Sequence, residues 1–341
     1  MDGFGDIKMA TRVSIIGITG YTGLELLRLL LAHPKVEIAH VTSRQHDGVS
    51  IGAVYPHLAH LDIQVSNPDL DKIAEDSDYV FLCLPHKTAQ DTVAALHGKV
   101  KIIDLSADFR LDDVETYEKH YNVPHIYPEL LKSSVYGLPE IIDHHKIAQA
   151  DVVANPGCFA LLSQMMLYPY AGAIAQADIM AITGSSGAGK SPSDGTHHPV
   201  RNHNLKSYNI NKHRHIPEIC RTAKIHSDQL NFVPTSGPFT RGIFATAFVK
   251  VKSGSTLPSP DAVYKDHNFV RVQDSVALAN VAGSNFVDLS YGYDDTSDTY
   301  IIQGAIDNLV KGAAGCAVQN MNIMNGDDET LGLLTLSPLY P

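Results

Sequence analysis

Cysteine is scarce in this sequence: Cys83, Cys158, Cys220 and Cys316 are the four in 341 residues, and none sits at C-x-x-C spacing. That argues against a zinc knuckle or a dithiol redox pair. A chain of this length needs no disulfide framework, so a reducing compartment is expected. Apolar runs of membrane-spanning length are missing. The opening residues, Met1-Asp2-Gly3-Phe4-Gly5-Asp6, lack the apolar segment of a secretion signal. The chain therefore reads as cytoplasmic with no membrane partner, and residues 1–11 as a loose tail in which Met9 is an alternative start. Positive charge is in deficit too, with 26 Lys and Arg against 37 Asp and Glu, a formal net charge of −11. An acidic surface argues against nucleic acid as a partner but leaves room for a local basic pocket. Internal repeats and low-complexity linkers are absent. The length suggests about two domains, and 44% hydrophobic with 18% charged residues is ordinary for a globular protein.

What is present begins with Val13-Ser14-Ile15-Ile16, a short apolar strand. It enters Gly17-Ile18-Thr19-Gly20-Tyr21-Thr22-Gly23, and Leu24 to Ala32 then reads as a helix stopped by His33-Pro34. Val36 to Val41 alternates as a second strand. Strand, glycine turn, helix and strand within about thirty residues make the βαβ unit of a dinucleotide fold. Glycines let backbone N–H groups approach a pyrophosphate at the helix start. The second strand ends in Thr42-Ser43-Arg44 rather than in the acid that NAD binders carry, and an Arg beside a hydroxyl suits a 2′-phosphate. NADP is the expected cofactor.

Tyr79 to Leu84 and Val100 to Leu105 are further buried strands. Their ends, Leu84-Pro85-His86 and Ser106-Ala107-Asp108, are placed to line the cleft beyond a parallel sheet. After Ile179 several strands follow without alternating helices, which suggests a second, mixed-sheet α+β domain. Within it, Gly184-Ser185-Ser186-Gly187-Ala188-Gly189-Lys190 is a loop rich in N–H donors. Asn308 to Met324 reads as one long helix.

Two stretches carry chemistry. Asn155-Pro156-Gly157-Cys158-Phe159 breaks an apolar strand, Val152-Val153-Ala154, from a helix, putting Cys158 near a helix N-terminus. There the dipole favours a thiolate nucleophile, with a buried structural thiol as the other reading. In His213-Arg214-His215-Ile216-Pro217-Glu218 an extended chain would put both histidines on one face. Either could serve Cys158 as general base and acid, with Glu218 orienting one imidazole. A metal site is the competing reading of these histidines, but no H-E-x-x-H spacing supports it and no metal is assigned.

Taken together, these segments resemble the N-acetyl-γ-glutamyl-phosphate reductases of arginine biosynthesis, relatives of aspartate-semialdehyde dehydrogenase. The resemblance lies in GITGYTGLE (17–25), CLPH (83–86), DLSADFRL (104–111), YGLPE (136–140), ANPGCF (154–159) and SGAGK (186–190). It continues in HRHIPEI (213–219), Arg241-Gly242 and AIDNLVKG (305–312), in family order over nearly the whole chain. It implies an α/β protein in which a Rossmann NADP-binding domain (12–154 and 308–341) holds an inserted α+β catalytic domain with a mixed sheet (155–307). It implies a Cys158 thioester reduced by NADPH, a small-molecule acyl phosphate as substrate, and a homodimer or homotetramer. Cofactor contacts are expected from Gly17, Thr19, Gly20, Tyr21, Thr22, Gly23, Ser43, Arg44, Leu84, Pro85 and Ser106. Ser186, Gly187, Ala188, Gly189 and Asn308 complete that set. Arg110, His197, Lys206 and Arg214 are candidates for substrate anions, and the family motifs add Tyr136, Glu140 and Asn155. Two departures stand out. Phe159-Ala160-Leu161 replaces the usual Tyr-Pro-Thr. The text from Pro192 to Pro199 is more similar to lysine-pathway relatives, which reduce an aminoadipyl phosphate on an acidic carrier protein. That carrier-linked reductase and a non-catalytic NADPH sensor are the alternative functions.

Overall fold

The computed structural model describes residues 10–336. Of the expected loose tail 1–11, residues 1–9 lie outside the described residues, as do the last five, and Thr11 is no tail residue: it is buried and opens the first strand. β1 (Thr11–Ile16), β2 (Val36–Thr42), β3 (Val49–Ser50), β4 (Gln64–Ser66), β5 (Tyr79–Leu82), β6 (Lys101–Asp104), β7 (Val135–Tyr136) and β8 (Val152–Ala154) form one sheet. Its order is β3-β4-β2-β1-β5-β6-β8-β7. Neighbours run parallel except β3 on β4. All four residues of β5 are buried, as befits a parallel strand covered on both faces. β2 and β5 flank β1 on opposite sides, so the strand order reverses there and opens a crevice beyond the carboxyl ends.

The helix Tyr21–Leu31 follows β1 and buries Leu26, Leu27, Leu29 and Leu30 against the sheet. The expected helix from Asn308 is not regular. The Asp307 carboxylate accepts the N–H groups of Leu309 and Val310 at 2.8 and 2.9 Å. One π-helical turn, Val310–Ala314, follows, and only then the α-helix Gly315–Met324. The wide turn takes a buried Lys311 into an ion pair with Glu140 at 2.5 Å. It also brings Gly312 so close to Cys158 that an added Cβ would stand 2.8 Å from the Cys158 Cβ. The helix Gly315–Met324 is buried along its whole length and packs on the helix Tyr21–Leu31. Its asparagines donate into the fold: Asn320 to the Gly137 carbonyl and Asn322 to that of Leu331, both at 2.9 Å.

β9 (Ile174–Thr183), β10 (Lys206–Ser207), β11 (Leu230–Ser236), β12 (Ile243–Val251), β13 (Val270–Val272), β14 (Val287–Asp294) and β15 (Thr299–Ile306) form the second sheet. Its order is β10-β11-β9-β12-β15-β14-β13, with parallel and antiparallel pairs mixed. The helix Cys158–Leu167 lies on one face of this sheet against β12 and β15, with Phe159 to Leu167 all buried. Arg241 ties the two halves together. It donates to Asp307 at 2.9 and 3.2 Å and to Glu25, on the helix Tyr21–Leu31, at 3.1 Å.

Candidate active site

A cleft of about 1190 Å³ runs from the end of β1 to Cys158 and is lined from both halves of the chain. Among the described residues, none of the side chains lining it is Asp or Glu, whereas Arg44, Arg110, Lys190 and Arg214 all do. In a chain of net charge −11, that separation marks a site for anionic ligands.

The cofactor end comes from the turn after β1. Gly17 takes φ +101°, and a Cβ there would meet the Cys83 carbonyl oxygen at 2.5 Å, so only glycine fits. Thr19, Gly20, Tyr21 and Thr22 line the cleft, and the space a Cβ would take at Gly20 is open. Gly23 does not line it. Its bare Cα lets the helix close on the Gly17 carbonyl, from which a Cβ would stand only 2.6 Å away. Ser43 and Arg44 stand at the end of β2, Leu84 and Pro85 at the end of β5. Ser186, Gly187, Ala188, Gly189 and Asn308 close the opposite wall. The Asn308 amide is committed to that wall: its oxygen accepts the Gly242 N–H at 2.6 Å and its nitrogen donates to the Ser186 hydroxyl at 2.9 Å.

Cys158 is the first residue of its helix, after an N-cap Gly157 in extended conformation. The thiol is half-buried. The expectation of an eased ionisation needs correcting: burial raises its pKa, against the lowering pull of Arg110, the Phe159 N–H and Arg214. A proton acceptor is therefore needed close by. His215 supplies one, since a Cβ on Gly157 would overlap its Nε2. Burial, helped by His213, Arg214 and Arg110, holds the His215 pKa well below the ordinary value, so the ring is a neutral base.

The two histidines do not share an extended face. Pro217 in the first turn of the helix Ile216–Ala223 makes His215 its N-cap, and the His213 ring stacks edge-on against it at 4.6 Å. His213 sits behind, between Phe159 and Phe232 at 5.5 and 5.7 Å, and does not line the cleft. Burial first, then Arg214, lowers its pKa to about 4. Glu218 orients no imidazole. Its carboxylate accepts the Gly157 N–H at 3.1 Å and the Tyr136 hydroxyl at 2.7 Å, which fixes the turn that presents Cys158.

Arg110, Asn155 and Arg214 line the cleft. Arg110 is held by the carbonyls of Asn155 and Leu105 at 2.7 and 3.0 Å. Four expected substrate residues do not line it. Tyr136 is buried behind Glu218, bonded also by Gln164 at 2.7 Å. Glu140 is consumed by Lys311. His197 and Lys206 are exposed outside it. Ser106 is likewise absent from the lining: its hydroxyl donates to Asp104 at 2.7 Å inside the fold. The sequence reading passed over Glu218 as a brace, although Pro217 is a helix-start signal. It also passed over Gly312, for which a π turn leaves no local signature.

Nucleotide-site turn, thiol and mixed sheet together define a two-part α/β protein with a dinucleotide-type crevice. The fold matches that of aspartate semialdehyde dehydrogenase II of Vibrio cholerae, with a TM-score of 0.71 at 16% identity, covering 94% of this chain and 99% of that one. Residues 12–150 match the model of the semialdehyde dehydrogenase NAD binding domain, and residues 158–308 that of the semialdehyde dehydrogenase dimerisation domain. The chain belongs to the semialdehyde dehydrogenase family. It is 42% identical to an N-acetyl-gamma-glutamyl-phosphate reductase of Methanocella arvoryzae, over 96% of this chain and 99% of that one. It is 40% identical, over 97% and 99%, to a Pyrococcus abyssi protein named as a LysW-L-2-aminoadipate and LysW-L-glutamate phosphate reductase.

Proposed function

We propose that the protein reduces N-acetyl-γ-glutamyl phosphate with NADPH, giving N-acetylglutamate semialdehyde and phosphate, in the arginine biosynthesis of the cytoplasm. One observation carries this reading: Cys158, at a helix start beside the neutral His215, shares a carboxylate-free cleft with the glycine turn of β1. The cleft suits NADP. Gly20 leaves backbone bare for a pyrophosphate, Gly17 lets the turn close on the Cys83 carbonyl, and Arg44 lines the same cleft at the end of β2, a suitable partner for a 2′-phosphate.

In the mechanism, His215 takes the thiol proton, and the Phe159 N–H with Arg110 and Arg214 favours the thiolate. Sulfur attacks the acyl carbon; the C–S bond forms, the C–O bond to phosphorus breaks, and phosphate leaves with the electron pair and takes a proton from water. NADPH, when bound, supplies the hydride that reduces the thioester carbonyl. The C–S bond then breaks, and the thiolate recovers its proton from His215 as the semialdehyde departs. Arg110 and Arg214 hold the substrate; Asn155, whose amide donates to the Ala313 carbonyl at 3.0 Å and accepts from Asn320 at 3.3 Å, shapes the wall beside them, and His213 acts only by supporting His215.

The sequence-based division into 12–154 with 308–341 against 155–307 is supported by each sheet drawing strands from one part alone. We also propose a homodimer through the open face of the second sheet. There Phe248 and Ile301 pair across β12 and β15, 49% and 36% exposed, with Met180 at 46% on β9. A Phe248→Lys change should shift the light-scattering mass toward that of one chain.

The test of function is semialdehyde oxidation in phosphate and NADP. Activity with N-acetylglutamate semialdehyde supports the reading. Activity confined to the carrier-linked aminoadipate semialdehyde moves the protein to the lysine-type reaction. Mass spectrometry after brief exposure to acyl phosphate without NADPH should find the acyl group on Cys158.

A further inference from the structure

His86 lies in the loop between β5 and the helix Gln90–Leu96, and none of the roles above uses it. Its neighbour Lys87 is in the left-handed region, φ 72°, a conformation side chains adopt rarely. The fully buried Asp108 holds it there. One carboxylate oxygen accepts the Lys87 N–H at 2.7 Å, the other the Ala89 N–H at 2.9 Å, and the Tyr117 hydroxyl donates to the first at 3.1 Å. So the segment 106–108, which does not line the cleft, fixes a loop that does. The clamp sets the His86 imidazole in the cleft wall. Its Nδ1 is buried there without a hydrogen-bond partner among the described residues.

The surroundings of that ring are all of one sign. Burial, then Arg214, Arg110 and Lys87, pulls its pKa down to about 2. The same two arginines act on the Cys158 thiol and on His215. Nη1 of Arg110 is itself buried without a hydrogen-bond partner, its nearest carboxylate oxygen, on Glu218, being 3.8 Å away. Two guanidinium groups and an unpartnered imidazole thus line the cleft that holds the sulfur, and no carboxylate among the described residues lines it with them. An acyl phosphate attacked at carbon carries its dianionic phosphoryl group one atom from that carbon. Such a group bound elsewhere would leave the His86 Nδ1 and the Arg110 Nη1 buried and unanswered, with the exposed Arg214 adding its charge at the mouth.

Resting on the acyl-phosphate reading, we propose that His86, with Arg110 and Arg214, forms the phosphate subsite, holding the phosphoryl group before attack by Cys158 and inorganic phosphate afterwards. An orphaned donor answered by a phosphate oxygen is a charge-assisted bond, worth about tenfold in affinity.

The test is phosphate-dependent semialdehyde oxidation by His86→Ala and His86→Asn. In His86→Ala the KM for phosphate should rise about tenfold, with the KM values for semialdehyde and NADP unchanged. His86→Asn, which keeps a donor near Nδ1, should restore much of the loss. A second measurement needs no turnover: inorganic phosphate should shield Cys158 from iodoacetamide in the wild type and less in His86→Ala. An unchanged phosphate KM, a rise confined to NADP, or equal shielding in both proteins would overturn the subsite. Should the wild type oxidise neither semialdehyde, the functional reading fails, and the shielding experiment still decides whether His86 binds phosphate.

Discussion

The turns after β1 and after β8 are the same backbone device. Each is a parallel strand, a glycine-containing break and a helix N-terminus, and both open on one cleft. Their surroundings differ. At Gly20 the space beyond the missing Cβ is empty. At Gly157 it is filled by the His215 ring, and the N–H behind is held by Glu218 at 3.1 Å. A dinucleotide phosphate needs bare amides, which a turn provides from its own residues. A nucleophile needs a base, a brace and cations, and these come from Arg110 after β6 and from the segment 214–218 after β10. The first turn is therefore locally encoded, and the second is assembled.

The sharpest way to separate the two turns is Cys158→Ser. It should cut turnover by about three or more powers of ten while NADPH binding, followed by fluorescence, stays as it was. Wild-type turnover in the variant would return Cys158 to the structural-thiol reading. Next in size, His215→Gln should cost about 10²- to 10⁴-fold in kcat/KM. His213→Gln should cost mainly thermal stability, because that ring packs on Phe159 and Phe232 rather than on the cleft. Equal kinetic losses would mean that the pair acts as a unit.

A glycine exchange then asks whether the turns are interchangeable. Gly157→Ala should displace His215 and lower kcat about tenfold or more with little effect on cofactor affinity. Gly20→Ala should fold normally, since nothing lies within 4 Å of the new methyl, and should weaken NADPH binding instead. Cofactor affinity lost in Gly157→Ala and spared in Gly20→Ala would reverse the assignment of the two ends.

This contrast also explains what the sequence made legible. The glycine turn, Ser43-Arg44 and the position of Cys158 at a helix start all depend on residues within a few positions of one another, and pattern reading finds such arrangements. The mixed second sheet was visible because β11 and β12, and again β14 and β15, follow one another with no helix between, although short helices separate β10 from β11 and β12 from β13. Legibility failed where a partner lies far along the chain. Tyr136 and Glu140 stand four residues apart in one motif. Yet one bonds Glu218 and the other Lys311, at sequence separations of 82 and 171. Both belong to the scaffold behind the site rather than to its lining. His213 and His215 were separable in principle by Pro217, which starts a helix and so ends the two-residue alternation of an extended chain.

Arg44→Ala sharpens the cofactor end by a smaller amount. Losing a phosphate partner at the rim should weaken NADPH about 10- to 100-fold and leave NADH nearly unchanged, as measured by paired KM values. Equal loss for both would remove the 2′-phosphate role from this residue.

The smallest effect expected is a flat pH profile, and its sign follows from the two groups at the thiol end. Burial raises the Cys158 pKa and lowers that of His215 well below 6.5. Between those two limits the resting pair is a thiol beside a neutral imidazole, which together carry no net charge. If the proton moves from sulfur to His215 within the site, the reactive form keeps that same proton count, and kcat/KM should change less than about twofold from pH 6 to 8. If instead the thiol loses its proton to water, the reactive form has one proton fewer, and kcat/KM should climb about tenfold per pH unit over the same range. A slope of that size in the wild type would remove His215 from the proton's path, and a slope appearing only in His215→Gln would put it there.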